Sequence, residues 1–167
     1  MSDYTPPLAE MRFVIERVCG CADLRDIPSY SELNSELLVA ILHEAGTFAT
    51  EILVPLNRVG DRDGARFVEG HVRMPVGWRE AYSKFVDGGW NGLDFPTDCG
   101  GQGLPKVVAT AVSEMWDTAN LSFALGPMLT GGAAAAIQHH GSALQRARYL
   151  EHMVTGTWTG TMNLTEP

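Results

Sequence analysis

The chain has few of the residues that would let anything but packing hold it together. Three cysteines among 167 residues, placed as Cys19-x-Cys21 and a distant Cys99, are too few for a four-thiolate zinc site and odd in number for a disulfide framework. They are expected to be free thiols buried in a core. Cations are scarce as well: 12 Lys and Arg stand against 20 Asp and Glu, for a net charge of −8. With no cluster among those cations, a nucleic-acid or anionic-membrane surface is excluded, since either needs a concentrated basic patch. No run of about 18 apolar residues is present to span a bilayer, so no membrane span is expected. The first residues, Met1-Ser2-Asp3-Tyr4-Thr5-Pro6-Pro7, lack the basic and apolar blocks of a secretory leader, and a cytoplasmic protein is expected.

Several chemistries are missing in the same way. His43-Glu44 has no second histidine four residues after the first, which a zinc or di-iron helix pair would need. His139 and His140 are adjacent, so on a helix they diverge by about 100° and cannot chelate one ion together. Helix-end capping or solvent is their expected place, and no metal site is expected. There is no G-x-S-x-G nucleophile elbow. Gly101-x-Gly103 has neither a preceding strand nor a following Gly-Lys-Ser/Thr, so it does not make a phosphate-binding loop.

What the chain does have is helical periodicity. Hydrophobic residues at 45% and charged residues at 19% are globular values, and a chain of this length buries roughly 70% of its unfolded surface as one domain. Leu8, Met11, Phe13, Val14, Ile15 and Val18 lie between Pro6-Pro7 and Gly20, which predicts a short helix that docks on a core. Leu33, Leu37, Leu38, Ile41, Leu42, Ala45, Phe48, Ala49, Ile52, Leu53 and Leu56 keep to one face only at a 3.6-residue period. That stripe predicts the longest helix, from about Leu33 to Val59, roughly 40 Å at 1.5 Å per residue. It should bend near Pro55, which has no N–H for the Glu51 carbonyl, and stop at Gly60-Asp61-Arg62-Asp63-Gly64.

Pro75 is expected to open the next helix, with Trp78, Ala81, Tyr82, Phe85 and Val86 inward and Gly88-Gly89 after its end. The stretch from Trp90 to Pro105 is too rich in glycine and proline for a regular element. A further helix from Pro105 carries Val107, Val108, Ala111, Val112, Met115 and Trp116 inward. Another, from Phe123 to His140, contains Gly126-Pro127 and Gly131-Gly132 before four alanines, small residues that admit close approach of a second backbone or of a flat ligand. Ser142-x-x-Gln145 forms a capping box for a last helix with Leu144, Ala147, Leu150, Met153 and Val154 on its inner face, closed by Gly156. Met162 and Leu164 then alternate with Asn163 and Thr165 as a strand begins. The fold class is therefore all-α.

Three of these stretches carry a resemblance. Gly89-Trp90-x-Gly92-Leu93-x-x-Pro96-x-x-x-Gly100-Gly101-Gln102-Gly103-Leu104-Pro105, then Gly141-Ser142-x-x-Gln145-Arg146-x-x-Tyr149-Leu150, then Gly160-x-x-x-Leu164-Thr165-Glu166-Pro167 stand in the order found in the acyl-CoA dehydrogenases. The wording Tyr4-Thr5-Pro6-Pro7-Leu8-x-x-Met11-Arg12-Phe13-Val14 is similar to the extension of the long branch that includes 3-methylmercaptopropionyl-CoA dehydrogenases. The resemblance implies three parts: an extension at 1–30, an N-terminal α-domain at 31–160, and at 161–167 the start of a truncated β-domain.

It also implies a function. The family oxidises an acyl-CoA thioester at its α,β bond with FAD, passes the electrons to an acceptor in fatty acid metabolism, and works as a homo-oligomer. By position, Met162, Leu164 and Thr165 would contact the flavin, while Phe123, Pro127, Met128 and Gly131 would border the acyl chain. The catalytic glutamate belongs to a C-terminal domain with no match in this chain, so no residue here is catalytic, and the chain by itself is expected to be inactive and to bind no FAD. A helical interaction module descended from such a domain is the alternative.

Overall fold

In the computed structural model, which describes residues 4–20 and 23–161, the chain is helical apart from one small hairpin. Helix α1 (Leu8–Phe13) runs on through a wider π turn to Val18. Met11 and Ile15 face the same core as the later helices, whereas Phe13, Val14 and Val18 are exposed, so the docked face is narrower than the apolar content suggests.

Helix α2 (Ser35–Thr47) starts where the Asn34 side chain accepts the Leu37 N–H at 2.8 Å, a polar N-cap. A π turn over Phe48–Leu53 joins it to α3 (Val54–Asp63). The long helix therefore starts and ends later than the stripe of leucines implies. The change of register falls just before Pro55, where the proline has no N–H to give to the preceding turn. The helix stops within the expected stretch, 60–64, at its last residue rather than its first. A Cβ at Gly60 would lie 2.6 Å from Trp78 Cζ2, so this glycine is there to admit an indole, and the stop comes at Gly64, with φ of 62°.

Strands β1 (Arg66–Val68) and β2 (His71–Arg73) pair antiparallel across Glu69-Gly70, both at positive φ, the geometry of a tight two-residue hairpin turn. Helix α4 (Trp78–Asp87) begins three residues after Pro75, because Gly77 at φ of 88° turns the chain first. The expected pair of helices from Pro105 and from Phe123 is present as the two arms of α5 (Lys106–His140), which meet at a kink at Asn120, whose backbone leaves helical geometry at φ −160°, ψ 85°. Asn120 is fully buried; its Oδ1 accepts the Phe123 N–H at 3.1 Å, as a cap does, and its Nδ2 donates to the Leu53 carbonyl at 3.3 Å. The last helix comprises α6 (Ala143–Gln145), a π turn, and α7 (Glu151–Val154), opened by the expected Ser142–Gln145 capping box. Leu150, Met153 and Val154 are buried, but Leu144 is exposed, lying in the first turn before the helix reaches the core.

The centre is aromatic. Phe85 packs edge-on to Trp116 at 5.1 Å and to Phe123 at 5.8 Å, Trp90 meets Trp116 at 5.4 Å, and Phe48 and Trp78 close the cluster around Phe123. Such tilted pairs add to simple area burial. By length and apolar content alone the segments 35–63 and 106–140 could each cross a bilayer. Their apolar stripes are instead shared with this core. The thiols depart in part from expectation: Cys19 is exposed at the end of its helix, Cys99 is half-buried in a 3-10 turn against the cluster of Phe95 and Val154, and Cys21 lies outside the described residues.

Candidate functional site

The break at Asn120 makes the site, because both arms of α5 and the 90–96 loop then face one groove of about 670 Å³. That volume suits a small-molecule site. Leu93, Phe95, Trp116, Ala124 and Met128 give it apolar walls, and Asp94, Lys106 and Asp117 stand among its polar residues. Lys106 Nζ is engaged by Asp94 Oδ2 at 2.7 Å, and partial burial pushes the Asp117 carboxyl above its ordinary range. On the wall, Trp116 Nε1 and Asn91 Oδ1 are buried without a hydrogen-bond partner among the described residues.

The glycine-rich loop is rigid for a local reason. Gln102 N–H donates to Gly92 O, Gly103 N–H to Phe95 O and Leu104 N–H to Leu93 O, each at 2.8 Å, so the amides that a phosphate turn would present are spent inside the loop. A Cβ at Gly101 would lie 2.1 Å from the Phe95 carbonyl oxygen, and one at Gly92 would lie 3.0 Å from the Val154 carbonyl oxygen. These glycines are there for close backbone packing. Those of α5 are not: a Cβ at Gly126, Gly131 or Gly132 meets nothing within 4 Å among the described residues. The small-residue stretch is therefore open on its glycine side, while its other side, Ala133, Ala134 and Ala135, packs against Leu150, Met153 and Val154 of the last helix.

Of the residues expected at the acyl chain, Pro127, Met128 and Gly131 line the groove together. Phe123 lies one layer inward, 5% exposed, with its ring 5.8 Å from Phe85, which is itself a wall residue. Met162, Leu164 and Thr165 lie outside the described residues. Trp116, Ala124 and Asn91 line the groove without having been singled out as site residues. The period of α5 marks Trp116 only as core, and the wall emerges once Asn120 bends the helix.

Two obvious holds for the pyrophosphate of FAD are already engaged: Lys106 on the groove wall is paired with Asp94, and the amides of Gln102, Gly103 and Leu104 are bonded to carbonyls. Among the described residues no three His, Cys, Asp or Glu side chains are grouped to hold a metal ion.

An α-helical domain with an apolar groove along a broken helix is the class that this architecture defines. The profile of the acyl-CoA dehydrogenase N-terminal domain matches residues 35–157, and the chain belongs to the acyl-CoA dehydrogenase family. It is similar to 3-methylmercaptopropionyl-CoA dehydrogenase of Ruegeria pomeroyi, 43% identical over 164 residues that cover 98% of this chain and 28% of the relative. It is also similar to a butyryl-CoA dehydrogenase of Syntrophomonas wolfei, 33% identical over 169 residues, 99% of this chain and 28% of the relative. The chain thus spans 28% of the length of these curated relatives.

Proposed function

We propose that this domain serves in the FAD-dependent α,β-dehydrogenation of an acyl-CoA thioester, by an enzyme completed with a β-domain and a C-terminal helical domain. The observation that carries the reading is the groove, where Pro127, Met128 and Gly131 come together on apolar walls of a size for an acyl chain. In this reading the groove removes the acyl chain from water, its contribution growing by about 0.8 kcal/mol per buried methylene. Phe123 supports that wall from behind. Bound flavin would supply the redox chemistry, with Met162, Leu164 and Thr165 as the residues of this chain at its edge. The α-proton would be taken by a glutamate of the C-terminal domain, so this chain contributes binding and orientation but no catalytic residue. An electron acceptor completes the turnover, and the working form is a cytoplasmic homo-oligomer.

The test is a polypeptide in which this domain is followed by the remaining residues of the Ruegeria pomeroyi relative. It should purify yellow, and acyl-CoA should bleach its flavin absorbance. Gly131→Leu, which fills open space in the groove, should raise KM for longer acyl-CoA at least tenfold and spare the shortest. A yellow protein bleached by no acyl-CoA, or a Gly131→Leu variant with unaltered chain-length dependence, would refute the assignment.

A further inference from the structure

We propose that Thr130 is a positioning residue of the assembled active site, holding the chain at Gly160 in register with the helix that walls the groove; this rests on the groove being the acyl site. Thr130 and Asn120 are the buried polar side chains among the described residues, both fully enclosed. Asn120 is used in breaking α5. Thr130 reaches across 30 residues of sequence instead. Its hydroxyl donates to the Gly126 carbonyl at 3.0 Å, the usual bond of a helical threonine to the turn before it, and accepts the Gly160 N–H at 3.1 Å. One oxygen is thereby fixed by its own helix and offered to the departing chain.

Gly160 fits that bond because it has no side chain. A Cβ there would lie 2.6 Å from Met153 Cε and 2.8 Å from the Ala133 Cβ. Two other side chains steady the same segment earlier: Tyr82 donates to the Gly156 carbonyl at 2.9 Å and Asn91 Nδ2 to the Met153 carbonyl at 2.6 Å. Among the described residues, Thr130 is the last such tie before Met162, Leu164 and Thr165 in sequence. Its neighbour Gly131 is on the groove wall while Thr130 is not, so a shift of Gly160 against Thr130 is a shift against the acyl site. Losing the tie would leave a partly buried amide unpaired, the costly side of hydrogen-bond loss.

Thr130→Val keeps the shape and removes the hydroxyl, while Thr130→Ser keeps the hydroxyl. In this 167-residue chain, hydrogen exchange at the Gly160 amide should quicken about tenfold in Thr130→Val and stay within about twofold in Thr130→Ser, with α2 amides as the internal reference. In the completed enzyme, Thr130→Val should lower kcat by about tenfold at nearly constant KM, equally for short and long acyl-CoA, and Thr130→Ser should restore it. Gly160→Ala, which forces the chain off Met153 and Ala133 with Thr130 intact, should reproduce the kcat loss.

Unchanged Gly160 exchange in Thr130→Val, equal loss in the serine variant, or a KM effect that varies with acyl length would overturn the proposal, the last by making Thr130 part of the wall. If the completed enzyme with Thr130 intact oxidises no acyl-CoA although Gly160 is protected from exchange, the acyl-site reading has failed and the proposal fails with it. That pattern is distinct from loss of the tie.

Discussion

At the scale of single residues, two glycines that look alike in the sequence have opposite work. Gly101 has no room for a Cβ, which would sit 2.1 Å from a backbone oxygen, whereas Gly131 has open space around it. Gly101→Ala is expected to destabilise the chain by about 1–3 kcal/mol, since the atom in the way is backbone and its loop is pinned. Gly131→Ala, within a helix, should stabilise it by about 0.5–1 kcal/mol. Urea unfolding of both variants checks the pair, and equal effects would mean that the loop yields. The open side of Gly131 was not legible in the sequence, where neighbouring glycines and alanines suit close packing and a groove equally well. A second residue-scale expectation concerns pH. The Ser35 hydroxyl bonded to Glu16, with Arg12 beside it, holds the Glu16 carboxyl below its ordinary value. A folded-state value below the unfolded one means a contribution to stability that is present above the unfolded value and is lost as pH falls through the folded one. Glu16→Gln should therefore lower the melting temperature at neutral pH and match the parent in acid, below the range of a free glutamate at about 4.3. An equal difference at both pH values would contradict this.

At the scale of elements, Asn120 decides where the groove is. It caps the second arm of α5 and ties the break to the carbonyl of Leu53 at the end of the π turn. Asn120→Ala would give up a helix cap and leave buried backbone groups unpaired, at a cost of about 2–4 kcal/mol by the usual values for each. Thermal unfolding should show that loss, and an Asn120→Ala chain of parental stability would show that the break is set by its neighbours. The helices themselves were legible, because leucine and alanine stripes at 33–56 and 107–116 have the 3.6-residue period of a one-sided face. Their ends were legible where the local residues make the stop or the cap, as at Gly88, Pro105 and Gly141 and at Ser142 with Gln145. They were less so where the packing partner is distant: Gly60 lies inside the helix, with the Trp78 indole where its Cβ would be. The hairpin at 66–73 was missed although Glu69-Gly70 sits between short β-prone runs. Three-residue strands have too little alternation to compete with the helical pattern around them. Asn120 itself reads as one polar residue in an apolar stretch, and its partner Leu53 is 67 positions away.

At the scale of the whole molecule, apolar side chains remain uncovered on several elements: Phe67 and Val72 on the hairpin, Val76 beyond it, and Leu144 at the start of the last helix, each exposed by 65% or more. Exposed apolar area of this kind marks surfaces that associate, so this chain by itself should self-associate at high concentration and bind an apolar dye. Light scattering that shows a clean monomer with no dye binding would favour the free-standing interaction module. Flavin gives the last and sharpest expectation. A flavin site has to enclose the ring, hold a pyrophosphate and give donors to the pyrimidine edge, yet the groove's lysine is paired with Asp94 and the loop's amides point inward. With Met162, Leu164 and Thr165 at the flavin edge, as proposed, three contacts do not offset the freedom lost by a ligand the size of FAD. The 167-residue chain should therefore purify colourless, bind FAD no tighter than about millimolar and oxidise no acyl-CoA. In the completed enzyme the same edge should count: Thr165→Val removes a hydroxyl donor worth about 0.5–1.5 kcal/mol, enough to weaken flavin binding by roughly two- to tenfold or to shift its potential. Equilibrium dialysis of FAD against both forms, with redox titration of the long one, measures each term. A yellow short chain, or a Thr165→Val enzyme whose flavin affinity, potential and turnover are all unmoved, would remove Thr165 from the flavin edge.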